Sequence, residues 1–90
     1  MSLRTLQVTI GAGVTQASAT SIPVRQVIIQ NNAAHKVIVG DSNVSASRGI
    51  VLQVGGGSVE GGALNCSSCD LNEIWLAGTQ NDVIDFLYWI

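Results

Sequence analysis

The segment Val24–Asp41, VRQVIIQNNAAHKVIVGD, decides the fold that the sequence predicts. It contains two runs rich in β-branched residues, Val24–Gln30 and His35–Val39, separated by the polar break Asn31–Ala34. Two such runs around a short polar break are typical of an antiparallel β-hairpin. The two asparagines suit a turn because their side chains bond nearby backbone and tolerate left-handed φ. We therefore expect the remaining strands to be arranged around this hairpin.

Further strands are predicted on both sides of the hairpin. With its two arms they make seven candidates: 4–10, 24–30, 35–39, 50–54, 58–61, 73–78 and 83–89. Residues 14–21 are small and polar and predict a loop or a weak edge strand, and Asn65–Asn72 predicts a loop. Seven short strands separated by glycine-rich turns predict an all-β fold, a small antiparallel β-sandwich or barrel. The length predicts one domain over residues 1–90.

The chain carries little charge for its size. Hydrophobic residues make up 47% and charged residues only 11%, against about 25% charged residues in typical domains. A surface with so few charges is poorly soluble alone, which favours an assembly in which other subunits cover part of it. The net charge of −2 and four scattered basic residues argue against nucleic-acid binding, which needs clustered cations.

The amino terminus and the overall hydropathy predict no export and no membrane insertion. Met1–Arg4 lead directly into an alternating segment instead of an apolar signal-peptide core. No run of 18 apolar residues is present in the sequence. We expect synthesis in a cytoplasm and no membrane partner.

The last strand candidate is apolar on both faces. Asp85 is its only charged residue, and the apolar side chains fall into two sets: Ile84, Phe86, Tyr88 and Ile90 on one face, and Val83, Leu87 and Trp89 on the other. An exposed strand of this kind would promote aggregation. We therefore expect it to be paired along both edges or buried between subunits.

The motif Cys66-Ser67-Ser68-Cys69 is the main candidate for chemistry. A C-x-x-C pair can be a redox dithiol or half of a zinc site. A zinc site needs four ligands, and His35 is the one other nitrogen or sulfur ligand of the usual kind in the sequence. The favoured interpretation is two reduced, chemically inert thiols, with a disulfide or a metal site shared between subunits as alternatives. No cofactor is predicted.

No catalytic constellation is predicted. His35 opens a strand beside Lys36, and no serine or cysteine nucleophile is tied to it by spacing. The six carboxylates are spread along the chain, whereas glycosidase chemistry needs two that face each other across a cleft. We expect a protein that is not an enzyme.

The two tryptophans, Trp75 and Trp89, permit two functional interpretations. They could form a platform for sugar stacking, as in a carbohydrate-binding module, or they could anchor a subunit interface, where tryptophan is enriched. The interface is favoured. The residues predicted to form it are Trp75, Phe86, Leu87, Tyr88, Trp89 and Ile90.

Residues 24–90 also carry a pattern that resembles a known group of proteins. The elements are the strand end IIQNN, the strand and turn VIVGDSNV, the strand GIVLQ before a glycine turn, and the strand IWLAGT. This pattern resembles small β-sandwich virion proteins of tailed bacteriophages.

The resemblance implies a capsid decoration (cement) protein, with a tail or head–tail subunit as the alternative. It implies as partners further copies of the chain, in a homodimer or homotrimer, and the major capsid protein or another virion protein. The implied location is the virion, assembled in the host cytoplasm. The resemblance brings no catalytic residue.

Overall fold

Two antiparallel four-stranded sheets form the protein in the computed structural model, which describes residues 2–54 and 63–90. The strands are β1 (Leu3–Thr9), β2 (Thr15–Gln16), β3 (Pro23–Gln30), β4 (Val37–Gly40), β5 (Ile50–Leu52), β6 (Ala63–Asp70), β7 (Trp75–Ala77) and β8 (Val83–Trp89). A single 3-10 turn, Leu71–Glu73, follows β6. The first sheet has the order β1-β8-β3-β6 and the second β2-β7-β4-β5. The predicted all-β sandwich is confirmed.

The sandwich core lies between the inner faces of the two sheets. Phe86 and Ile29 of the first sheet and Val37 and Leu76 of the second belong to one cluster of buried residues, each with 2% or less of its surface exposed. Burying a side chain of this size stabilises the fold by about 1.5–3 kcal/mol. Ile29, Val37 and Leu76 lie on the faces that alternation assigned to them in their strands, whereas the strand of Phe86 is apolar on both faces and had no predicted core side.

The predicted hairpin of β3 and β4 is wrong. β3 pairs with β6 and β8 in the first sheet, whereas β4 pairs with β5 and β7 in the second. The segment between them passes from one sheet to the other. Local alternation specifies which face of each strand is apolar. Two strands can bury these faces equally well as neighbours in one sheet or as members of two sheets that pack across a core. The pattern therefore did not determine the pairing.

Asn31 holds this crossover in place. Its side chain is fully buried, and its amide donates hydrogen bonds to the carbonyls of His35, at 2.9 Å, and Leu52, at 3.0 Å. Its Oδ1 accepts from the N–H of Ala33 at 3.0 Å. Asn31 thus links the end of β3 to β5 of the other sheet. The sequence predicted it as a turn residue and did not predict its burial.

The segment around the cysteines is a strand and not the predicted loop. β6 pairs with β3 along the edge of the first sheet, for example at Val27 and Cys66. Its sequence, ALNCSSCD, is weak in β-branched residues, and pairing context outweighs such local preference. The predicted strand 58–61 lies outside the described residues. The weak edge strand considered within 14–21 is the two-residue β2.

The C-terminal strand lies in the interior of the first sheet. β8 pairs with β1 on one side and with β3 on the other, which confirms pairing along both edges. Its inner face is buried, whereas Leu87 and Trp89 of its outer face are half-buried. The outer side of the strand thus remains available to a partner.

Part of the predicted surface loop Asp41–Gly49 covers the outer face of the second sheet. Val44 is buried, and so is Ile38 of β4, although neither belongs to the cluster between the sheets. Gly49, with φ of 139°, brings this loop so close that a Cβ atom would lie 2.5 Å from Cγ2 of Ile38. Only glycine fits here. The described residues include no helix long and apolar enough to span a membrane.

Candidate interaction surface

The outer face of the first sheet is a broad surface formed by four neighbouring strands, and we call it the Trp89 face. Residues that oppose each other on adjacent antiparallel strands share a face, and the registers of β1, β8, β3 and β6 define three rows. They are Leu3, Trp89, Gln26 and Ser67; Thr5, Leu87, Ile28 and Asn65; and Gln7, Asp85 and Gln30.

The centre of the Trp89 face is apolar and its periphery is made of amides and hydroxyls. Trp89, Leu87 and Ile28 are half-buried by their neighbours, and Leu3 is 67% exposed. A shallow groove of about 640 Å³ runs over the middle row, bounded by residues such as Thr5 and Leu87. An apolar centre with a polar rim is the usual composition of a protein interface.

The Trp89 face carries one formal charge within its three rows. The Asp85 carboxylate accepts a hydrogen bond from Nε2 of Gln7 at 2.9 Å. Elsewhere on the face, Nε2 of Gln26 donates to Oδ1 of Asn65 at 2.6 Å. Covering a face with one already hydrogen-bonded carboxylate requires little desolvation of charge, so the surface is suited to being buried.

The six residues predicted to form an interface are distributed over four environments, and Trp75 is the one that lies on the other sheet. Phe86 and Tyr88 are 2% and 8% exposed and pack in the core, so they support the Trp89 face from beneath and do not reach a partner. Leu87 and Trp89 lie on that face. Ile90 is exposed at the end of β8, where its backbone pairs with Ser2.

Trp75 and Trp89 are not brought together. Leu76 of β7 is fully buried, so the adjacent Trp75 lies on the outer face of the second sheet. Trp89, next to buried Tyr88, lies on the outer face of the first. The two rings are on opposite sides of the sandwich. They cannot form the two-tryptophan sugar platform, and Trp75 cannot share one flat contact with Trp89.

A second depression lies over the other sheet. It has a volume of about 710 Å³, and small and apolar residues such as Ala12, Val14 and Val44 line it. His35 lies at this depression, and its Nδ1 is 3.0 Å from Oδ2 of Asp82. Sequence spacing did not predict this pair, because the two residues are brought together only by the turns before β4 and β8.

Within the part of the chain that the structure describes, the His35–Asp82 pair has no third member of a catalytic triad. An acidic partner can orient a histidine for proton transfer, but nucleophilic catalysis also requires a hydroxyl or thiol bonded to the other ring nitrogen. In the described ranges, Asp82 is the one residue whose side chain forms a hydrogen bond with the His35 side chain. Among those same residues, no three His, Cys, Asp or Glu side chains cluster closely enough to hold a metal ion.

The two cysteines lie on the same side of β6. Both are half-buried and contact the core cluster, although strand residues three positions apart ordinarily face opposite sides. Ser68 between them has φ of 54°, and this left-handed residue turns Cys69 back towards the core. Desolvation by burial, followed by the influence of the neighbouring Cys66 thiol, raises the pKa of the Cys69 thiol from 9.0 to about 12.

Asp70 ends β6 as a hydrogen-bond acceptor for three donors. Its carboxylate accepts from the Ser21 hydroxyl at 2.5 Å, from the Ile22 N–H at 2.9 Å and from the Asn72 N–H at 3.0 Å. These bonds, the Ser21 hydroxyl above all, hold the pKa of Asp70 below its ordinary value of 3.8. The carboxylate therefore ties the β2–β3 connection to the 3-10 turn, a structural role.

Part of the Trp89 face was missed by reasoning from sequence. The sequence does indicate a role for Ile28 in a contact, because it is an apolar residue on the otherwise polar side of its strand. Leu3 and Gln26 join the face only through pairing with Trp89, which the sequence did not specify.

A scan against protein-family models gives no match, and searches of curated proteins and of solved structures find no significantly similar protein.

Proposed function

We propose that this chain is a non-enzymatic virion structural protein of a tailed bacteriophage, a capsid decoration (cement) protein that binds the head lattice as a homodimer or homotrimer. The observation that carries the proposal is the Trp89 face, a broad sheet surface with an apolar centre, an amide rim and a single carboxylate. Such a surface is suited to permanent coverage by another subunit. The resemblance to phage virion proteins supplies the biological setting.

The self-contact is assigned to the Trp89 face. Each copy brings one carboxylate to such a contact, that of Asp85, which accepts a hydrogen bond from Gln7. Four strands of about seven residues present on the order of 400–500 Å² of planar area. Two copies would thus bury about 800–1,000 Å² in total, which is below the roughly 1,200–2,000 Å² of a stable interface. Repetition on a lattice would then supply the remaining affinity through avidity.

The contact with the capsid is assigned to the opposite side of the sandwich. The loop Asp41–Gly49 packs on the second sheet through Val44, and its polar tip is exposed. Trp75 lies on the same outer face. With the Trp89 face covered by another copy, this side remains directed towards a lattice or solvent.

Sedimentation velocity of the purified protein tests the self-contact. We expect a dimer or trimer at micromolar concentration, and at least tenfold weaker association for Trp89→Ser, because the substitution removes the ring from the centre of one row. Trp75→Ser is the matched control, since it removes a half-buried ring from the other sheet and should leave the mass unchanged. A monomeric wild-type protein, or equal effects of both substitutions, would refute this assignment.

Binding to virion parts tests the decoration role. The probes are shells of the major capsid protein and tails of the same phage, both prepared without this chain. We expect saturable co-sedimentation with shells and none with tails. Binding to tails alone would replace the decoration role with the tail or head–tail alternative, and binding to neither would exclude a virion role.

A further inference from the structure

We propose that Cys66 and Cys69 form a reversible dithiol–disulfide site that reacts with low-molecular-weight disulfides such as oxidised glutathione. The site is independent of the Trp89 face, and its chemistry does not depend on the function proposed above. It lies on β6, the edge strand of the first sheet, where one side of the strand is not paired within the described residues.

The backbone brings the two thiols to the same side. In a regular strand, residues three apart face opposite ways and lie about 10 Å apart, too far for a disulfide. Ser68, with φ of 54°, breaks this alternation, so both cysteines contact the same core cluster. Cys66 also contributes to the raised pKa of the Cys69 thiol. The strand thus places both thiols on one side, which an intramolecular disulfide requires.

The pairing of β6 with β3 sets the positions of both cysteines. Cys66 opposes Val27 and Cys69 opposes Val24, and both valines are buried. The disulfide would close a short ring over the left-handed Ser68, between two thiols that already lie on the same side of the strand.

The reaction is two successive thiol–disulfide exchanges. The Cys66 thiolate attacks one sulfur of the oxidised glutathione, which forms a mixed disulfide and releases one glutathione thiolate. The Cys69 thiolate then attacks the Cys66 sulfur, forms the Cys66–Cys69 bond and releases the second glutathione. The two cysteines lose two protons and two electrons in total, and one glutathione disulfide is reduced to two glutathione molecules.

The order of attack follows from the environment of each thiol. Burial and the neighbouring Cys66 thiol oppose ionisation of Cys69 and raise the pKa of its thiol to about 12. Since the thiolate is the attacking species, Cys66 reacts first. Conversion of Cys66 to a mixed disulfide removes its contribution to the raised pKa of Cys69, so the second step becomes easier once the first has occurred.

The test is incubation of the folded, fully reduced protein with excess oxidised glutathione across about pH 7 to 9.5, followed by acid quenching and intact-mass measurement. We expect a monomer that has lost two hydrogen atoms and retains no glutathione, with a rate that rises up to tenfold per pH unit as thiolate forms. Cys69→Ser should stop with one stable glutathionyl group. Cys66→Ser should react at least tenfold more slowly than Cys69→Ser.

Three results would overturn the proposal. Wild-type protein that keeps two glutathionyl groups would show that the thiols do not meet. Disulfide-linked dimers as the main product at low protein concentration would show an intermolecular reaction. No reaction of the folded protein near pH 9, while urea-unfolded protein reacts, would show that the fold blocks the site. None of these readouts depends on binding to a virion.

Discussion

Replacing Asn31 with alanine should destabilise the protein far more than the same change at Asn32. The two asparagines are adjacent in sequence and equivalent in a simple hairpin turn. In the structure, Asn31 is fully buried at the crossover from the first sheet to the second, whereas Asn32 is exposed. The pair therefore provides a matched test of the crossover.

The cost of Asn31→Ala can be estimated from its three hydrogen bonds. The substitution leaves the carbonyls of His35 and Leu52 and the N–H of Ala33 without their partner. The bond to Leu52 is buried, so its loss should cost about 1–3 kcal/mol, and the two partly buried bonds should cost about 0.5–1.5 kcal/mol each, because water can replace them in part. The sum is on the order of 3 kcal/mol.

Thermal and urea-induced unfolding measure the difference. For a domain of this size, about 3 kcal/mol corresponds to a fall in Tm on the order of 10–20 °C. Asn32→Ala should remain within about 0.5 kcal/mol of the wild-type free energy of unfolding, as is usual for exposed positions. If the two variants are equally stable, Asn31 does not bridge the sheets and the crossover is wrong.

Two further predictions concern a glycine and a carboxylate. Gly49→Ala should lower the free energy of unfolding by about 2–4 kcal/mol, because φ is 139° and the new Cβ would lie 2.5 Å from Ile38. Gly13→Ala is the control, since open space surrounds this position, and it should change the free energy of unfolding by no more than about 0.5 kcal/mol. Equal denaturation midpoints for the two variants would contradict this prediction. The depressed pKa of Asp70 contributes stability that is present above its ordinary value of 3.8 and lost as the pH falls through the lower folded-state value. Ser21→Ala should therefore reduce the loss of Tm between about pH 6 and about pH 2.5, and an unchanged acid profile would count against the Ser21 bond.

Alternation in the sequence determined the fold class and the inward side of most strands. Side-chain direction follows from a period of two residues, which each strand carries in its own sequence. The inward position of Ile29 was predictable for this reason. β8 is apolar on both faces, so alternation left its core side open, and Phe86, predicted to form an interface, lies in the core.

Only the tertiary structure decided which strands pair and which surfaces result. β3 and β4 are consecutive and equally apolar, yet they belong to different sheets. β6 has little intrinsic preference for a strand and forms one against β3, and this pairing together with the left-handed Ser68 brings the two cysteines together. The pairing energy is distributed over contacts distant in sequence, and no local period encodes them. For the same reason, the separation of Trp75 from Trp89 and the assembly of the Trp89 face from four strands are properties of the folded chain alone.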